Sequence, residues 1–162
     1  MATIINGADL MLFVGEGTGV SSIACATNCT VTMNMETTDV SAPGHKDIGS
    51  SGTATAVTWA EFIPQTNSWT MSTENLFSTD GEGKKADDLF TYWHNGTLLD
   101  AQFGLVDPHE AVATGGYTST TGTHYSGKVY ITNLTWNAPY EGKATLTAEF
   151  QGTGELQSSA SN

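Results

Sequence analysis

Alternation of apolar and polar residues is the feature that most constrains this chain. Between residues 22 and 36, Ile23, Cys25, Val31, Met33 and Met35 share one parity. Asn28, Thr30, Thr32, Asn34 and Glu36 share the other. The pattern returns near the end, where Ala144, Leu146, Ala148 and Phe150 alternate with Thr145, Thr147, Glu149 and Gln151. Successive side chains of a strand point to opposite faces, so a period of two predicts a sheet with one face in a core and one in water. On a helix the same pattern would smear the apolar residues around the whole circumference.

Further segments fit this frame. Leu10, Leu12 and Val14 predict a strand over 8–15, with Asp9, Met11 and Phe13 on its other side and a turn at Gly15–Gly19. Two strands are predicted over 56–63 and 68–77, joined by a turn at Pro64-Gln65-Thr66-Asn67. Leu99, Ala101, Phe103 and Leu105 predict a strand over 97–106. A last pair is predicted over 128–136 and 143–151, around the Asn137–Gly142 turn. The region 107–127 reads as irregular, and the tail at 157–162 reads as flexible.

One helix is predicted, over 84–95. Ala86, Leu89, Phe90 and Trp93 fall at helical spacing, Asp87 and Asp88 suit its positive end, and Asn95-Gly96 can stop it. So short a helix is not stable alone. Leu89, Phe90 and Trp93 are therefore expected to pack on the sheet. The expected fold is mainly β: a β-sandwich or barrel with one flanking α-helix. A length of 162 residues suits a single domain over 1–162.

The charge excludes some functions. Seventeen acidic residues face five lysines, giving a formal net charge of −12. Neutralising DNA phosphates needs clustered Lys or Arg. Only Lys84 and Lys85 are adjacent, and Asp87 and Asp88 follow them. Cys25 and Cys29 in one strand would stand about 13 Å apart, beyond the roughly 7 Å reach of a disulfide, so both are expected as free thiols. No apolar run approaches the ~18 residues of a membrane helix. Met1–Ile5 lacks a basic-then-apolar leader pattern, so folding in a cytoplasm is expected.

Catalysis has no positive signal. Asp107-Pro108-His109-Glu110 reads as a solvated turn rather than a cation site. Asp80-Gly81-Glu82-Gly83 lacks the alternating ligands of a calcium loop. No nucleophile elbow, zinc-protease helix or phosphate loop occurs. No enzyme, cofactor or metal is expected. Trp59, Trp69, Trp93 and Trp136 read as core or subunit-contact residues. An exposed set of Trp59, Trp69 and Trp136 would instead favour a carbohydrate-binding, adhesion or decoration module.

The ordered segments resemble the major tail (tail tube) proteins of long-tailed phages, in the branch typified by non-contractile lactococcal phages. The resemblance runs through Asn6–Phe13, Ala26–Asp39, Ser68–Leu76 and Asp87–Phe90. It is densest in Ile131-Thr132-Asn133-Leu134, Asn137-Ala138-Pro139 and Ala144–Leu156. It implies hexameric rings stacked into a tube within a virion, with inner strands lining a lumen that conducts double-stranded DNA without binding it. It also implies a tape-measure protein and a tail terminator as partners.

The resemblance further implies a long inter-strand loop reaching a neighbouring copy. That loop fits 40–55, a Gly/Ser-rich stretch with no apolar period and too long for an ordinary connection. Its expected contact residues are Val40, Pro43, Gly44, His45, Lys46, Asp47, Ile48, Gly49 and Gly52.

Overall fold

The computed structural model describes residues 10–17, 20–23, 26–40, 60–77, 83–106 and 119–159. Seven strands and one helix occur among them. In chain order they are β1 (Leu10–Gly15), β2 (Ser21–Ser22), β3 (Ala26–Asp39), β4 (Phe62–Leu76), α1 (Ala86–Asn95), β5 (Leu99–Val106), β6 (Ser119–Asn137) and β7 (Thr145–Ser159). The strands form one sheet in the order β2-β1-β5-β6-β7-β4-β3. The fold is thus mainly β with one flanking helix.

The chain divides into two compact units. The larger comprises 1–32 and 69–162, and the smaller is Met33–Ser68. In the larger unit, β5, β6 and β7 form an antiparallel meander. β1 pairs antiparallel with β5, and residues Thr70–Leu76 of β4 pair with β7. The core holds Leu12, Val14, Met71, Leu99, Ala101, Val129, Leu146, Ala148 and Phe150, closed over by Ala86 and Leu89 of α1. β1 is buried on both faces, since Phe13 is as inaccessible as Leu12 and Val14.

Trp69 seats the middle of this core. Its ring lies over Gly127 of β6 and Gly152 of β7, where a Cβ would overlap it. Its Nε1 donates to the Gly154 carbonyl at 3.0 Å. The two glycines are where the sheet leaves room for an indole.

Several expected boundaries move. No turn interrupts residues 64–67, because β4 runs unbroken from Phe62 to Leu76 through Pro64. Pairing with β7 begins only at Thr70, so one side of β4 makes no demand for a proline N–H at residue 64. Ser119–Gly127, expected to be irregular, is strand backbone paired with β5 and β7. Its Ser and Thr content read as loop, yet Thr is a good strand former once neighbours exist on both sides. Gln157, Ser158 and Ser159, expected in a flexible tail, pair with Ser126, Tyr125 and His124.

The alternation over 22–36 also resolves differently. Ile23 sits in an isolated bridge with Lys84, and the long strand starts at Ala26. Cys29 and Val31 pack on the core, but Met33 and Met35 are exposed. β3 is an edge strand. Its residues from Met33 onward belong to the smaller unit, which holds no buried residue among those described.

Candidate assembly surfaces

The register of the meander sorts side chains into two opposed grids. On one face, Ile131, Phe150 and Met71 stand side by side across β6, β7 and β4. Leu134, Ala148 and Thr73 form the next row, then Trp136, Leu146 and Asn75. This is the core face. The shift between Ile131 and Asn133 is a bulge that keeps Leu134 on it.

The other face is polar throughout its rows. Tyr130, Gln151 and Thr70 form one row, Asn133, Glu149 and Ser72 the next, and Thr135, Thr147 and Glu74 the third. One further row joins Asp100, Lys128 and Thr153. Lys128 is the one cation in these four rows, and its Nζ lies 2.9 Å from Asp100 Oδ1. Glu149 accepts from the neutral Asn133 amide at 3.2 Å. Glu74 and Glu149 are exposed carboxylates with no cation beside them in the grid, so the face carries net negative charge.

The helix presents a second surface. Lys85 N–H donates to Asp88 Oδ2 at 3.1 Å at its start, and Gly96 ends it at φ 61°. Leu89 is fully buried. Phe90 and Trp93 are not enclosed in the core, since each remains 45% exposed. Ala86 and Leu89 fill the core side of the helix, and the half-buried Tyr92 packs at its margin with its hydroxyl accepting from Lys84 at 2.9 Å. Phe90 instead stands 6.0 Å from Trp93, 6.0 Å from His94 and 6.3 Å from Trp136 of β6, ring centre to ring centre. Trp136 is likewise about half exposed. The spacing marked these residues as apolar but could not say which apolar stripe met the sheet.

The third surface is the smaller unit. Met33 and Met35 alternate with polar neighbours and so share one face of β3. Phe62 and Ile63 of β4 are exposed in the same unit, next to Glu61, whose carbonyl pairs with Val40 just past the end of β3. Of the expected loop contacts, Val40 is described: its N–H donates to the Glu61 carbonyl at 2.9 Å. Pro43, Gly44, His45, Lys46, Asp47, Ile48, Gly49 and Gly52 lie outside the described residues. So do Cys25, Trp59, the 80–82 turn and the 107–110 cluster. Cys29 is free, and burial pushes its thiol up while a backbone hydrogen bond with Leu12 works against that. Among the described residues no group of His, Cys, Asp and Glu could hold a metal ion.

Comparison with known proteins agrees with this architecture. The family described as "Phage tail tube protein" matches residues 4–158. No curated protein sequence matches significantly. A protein from the tail of an empty GTA particle, refined with C6 symmetry, superposes with a TM-score of 0.68 at 18% identity, covering 97% of this chain and 100% of that one. The SPP1 tail tube protein superposes at 0.61 and 12% identity, covering 98% and 80%. A protein of the anti-feeding prophage baseplate superposes at 0.62 and 7% identity, covering 99% and 98%.

Proposed function

The chain belongs to the phage tail tube protein family, and from that premise we propose that its copies stack as six-fold rings with the polar face of β6, β7 and β4 lining the lumen. It is a structural subunit of a phage tail tube, a component of the virion. The observation that carries the lumen assignment is the sorting of side chains by register. One face of the meander is closed by the core and α1, and the other is a Thr, Ser, Asn, Gln and Glu surface, with Tyr130 among them, whose one lysine is neutralised by Asp100. Such a wall wets readily and repels phosphate, so duplex DNA can slide past without being held.

The ring symmetry draws support from the C6 tail of the GTA particle, whose subunit shares the fold. Contact with a tape-measure protein inside the lumen, closure by a terminator, assembly in a host cytoplasm and a place in the non-contractile lactococcal branch extend the same reading. A purely structural role without catalysis goes with it. The loop over 40–55 would reach a neighbouring copy through Pro43–Gly52. The alternative of a carbohydrate module loses its platform, because Trp69 is buried in the core.

Negative-stain electron microscopy of the purified chain at rising concentration tests the proposal. Rings or hollow filaments with a stain-filled channel are expected. A monomer at every concentration, binding glycans on an array, would overturn it.

A further inference from the structure

Phe90, Trp93 and Trp136 form a contiguous aromatic patch across α1 and β6 that the chain's own core leaves uncovered. Half of three such rings amounts to roughly 300 Å² of apolar surface, enough to mark a contact site. Its occupant can be argued from symmetry. A patch that met its own copy would make a two-fold dimer and stop there. A tube requires head-to-tail contacts, in which the patch meets a different surface of the next copy.

Among the described residues, the smaller unit also exposes large apolar side chains. It offers Met33 and Met35 on β3, with Phe62 and Ile63 on β4. None of its described residues is buried, and a two-stranded ribbon is marginal in water, so a covering surface would stabilise it. Methionine is pliable, and its sulfur packs well against aromatic rings. Each chain thus carries both a Met-rich ribbon and an aromatic socket.

We propose that the β3–β4 ribbon of one copy, through Met33, Met35 and Phe62, docks on the Phe90–Trp93–Trp136 patch of the next. The inference rests on the tube reading but goes further, because it names both halves of one contact. The test uses two full-length variants. Met33→Lys with Met35→Lys spoils the ribbon and keeps the patch. Phe90→Ser with Trp93→Ser spoils the patch and keeps the ribbon.

Each variant alone is expected to remain a folded monomer by circular dichroism and light scattering. Mixed, they are expected to give a one-to-one complex that grows no further, since one intact ribbon meets one intact patch. Assembly by the patch variant at the wild-type concentration overturns the proposal, and so does a mixture that stays monomeric. The unmodified chain supplies a second readout, independent of how the variants fold. Its tryptophan quenching by iodide should fall at least two-fold on assembly, and unchanged quenching in formed tubes overturns the proposal. A wild-type chain that never assembles would end the tube reading and this inference together, whereas the other adverse outcomes end this one alone.

Discussion

Trp69 shows how much one residue organises here. Its indole occupies the space above Gly127 and Gly152, so either glycine is bound to its side-chain-free state by a neighbour rather than by its own backbone. An alanine Cβ at Gly127 would stand 2.5 Å from Trp69 Cζ2. Gly152→Ala forces a similar overlap and should cost about 1–3 kcal/mol, the usual cost of overpacking. The check is the urea midpoint at unchanged slope. Trp69→Phe loses the hydrogen bond to Gly154 but vacates part of the ring volume. The double variant should therefore be more stable than the sum of the two single losses predicts, and strict additivity would contradict direct contact.

Cys29 makes a second test at this scale. Its thiol is raised by burial, so the folded chain holds the proton to higher pH than the unfolded chain does. The stability it lends is intact below the unfolded value and is lost as pH rises from there through the folded value. In a Cys25→Ala background, alkylation near pH 8.5 should be slower in the native protein than in urea. The alkaline loss of stability should shrink in Cys29→Ala.

At the scale of elements, α1 separates what sequence can and cannot reveal. Its existence, its acidic start and its Gly96 stop are local matters, and local chemistry predicts them. Which of two adjacent apolar stripes is enclosed depends on the sheet, and Phe90 and Trp93 fall on the one left half exposed beside Trp136 of β6. Leu89→Ala should accordingly cost about 2–5 kcal/mol as a core truncation. Phe90→Ala and Trp93→Ala should each cost the monomer less than about 1 kcal/mol by thermal unfolding, the range of surface changes.

The strands repeat the lesson. Alternation located the first half of β7, up to Gln151, because that part is flanked on both sides, so its pattern and its burial coincide. The same alternation misplaced Met33 and Met35, since among the described residues no side chain of β3 beyond Thr32 is buried. Pro64 looked like a turn for a related reason: its penalty in a strand depends on a hydrogen bond that only a neighbour can request. Pro43–Gly52 of the expected contact loop lie outside the described residues, while Phe90, Trp93 and Trp136 as a joint surface required the placement of the helix beside β6.

At the scale of the whole molecule, the acidic composition becomes a placed charge. The four polar rows hold Asp100, Glu74 and Glu149 against Lys128 alone, so the acidic excess of the chain has a local counterpart on the face assigned to the lumen. Glu74 and Glu149 are exposed and support no core contact, so replacing both with lysine should leave rings and tubes intact. It should reverse the sign of the wall, because two negative charges become two positive ones while Asp100 and Lys128 still cancel. Wild-type tubes should ignore short duplex DNA in co-sedimentation at low salt. Tubes of the Glu74→Lys, Glu149→Lys chain should retain it, and raising salt should release it with the steep dependence of phosphate contacts. An equal charge reversal at Asp87 and Glu141, outside these rows, separates a lumen effect from a change in net charge. Retention by both pairs of variants alike would remove the β6–β7–β4 face from the lumen.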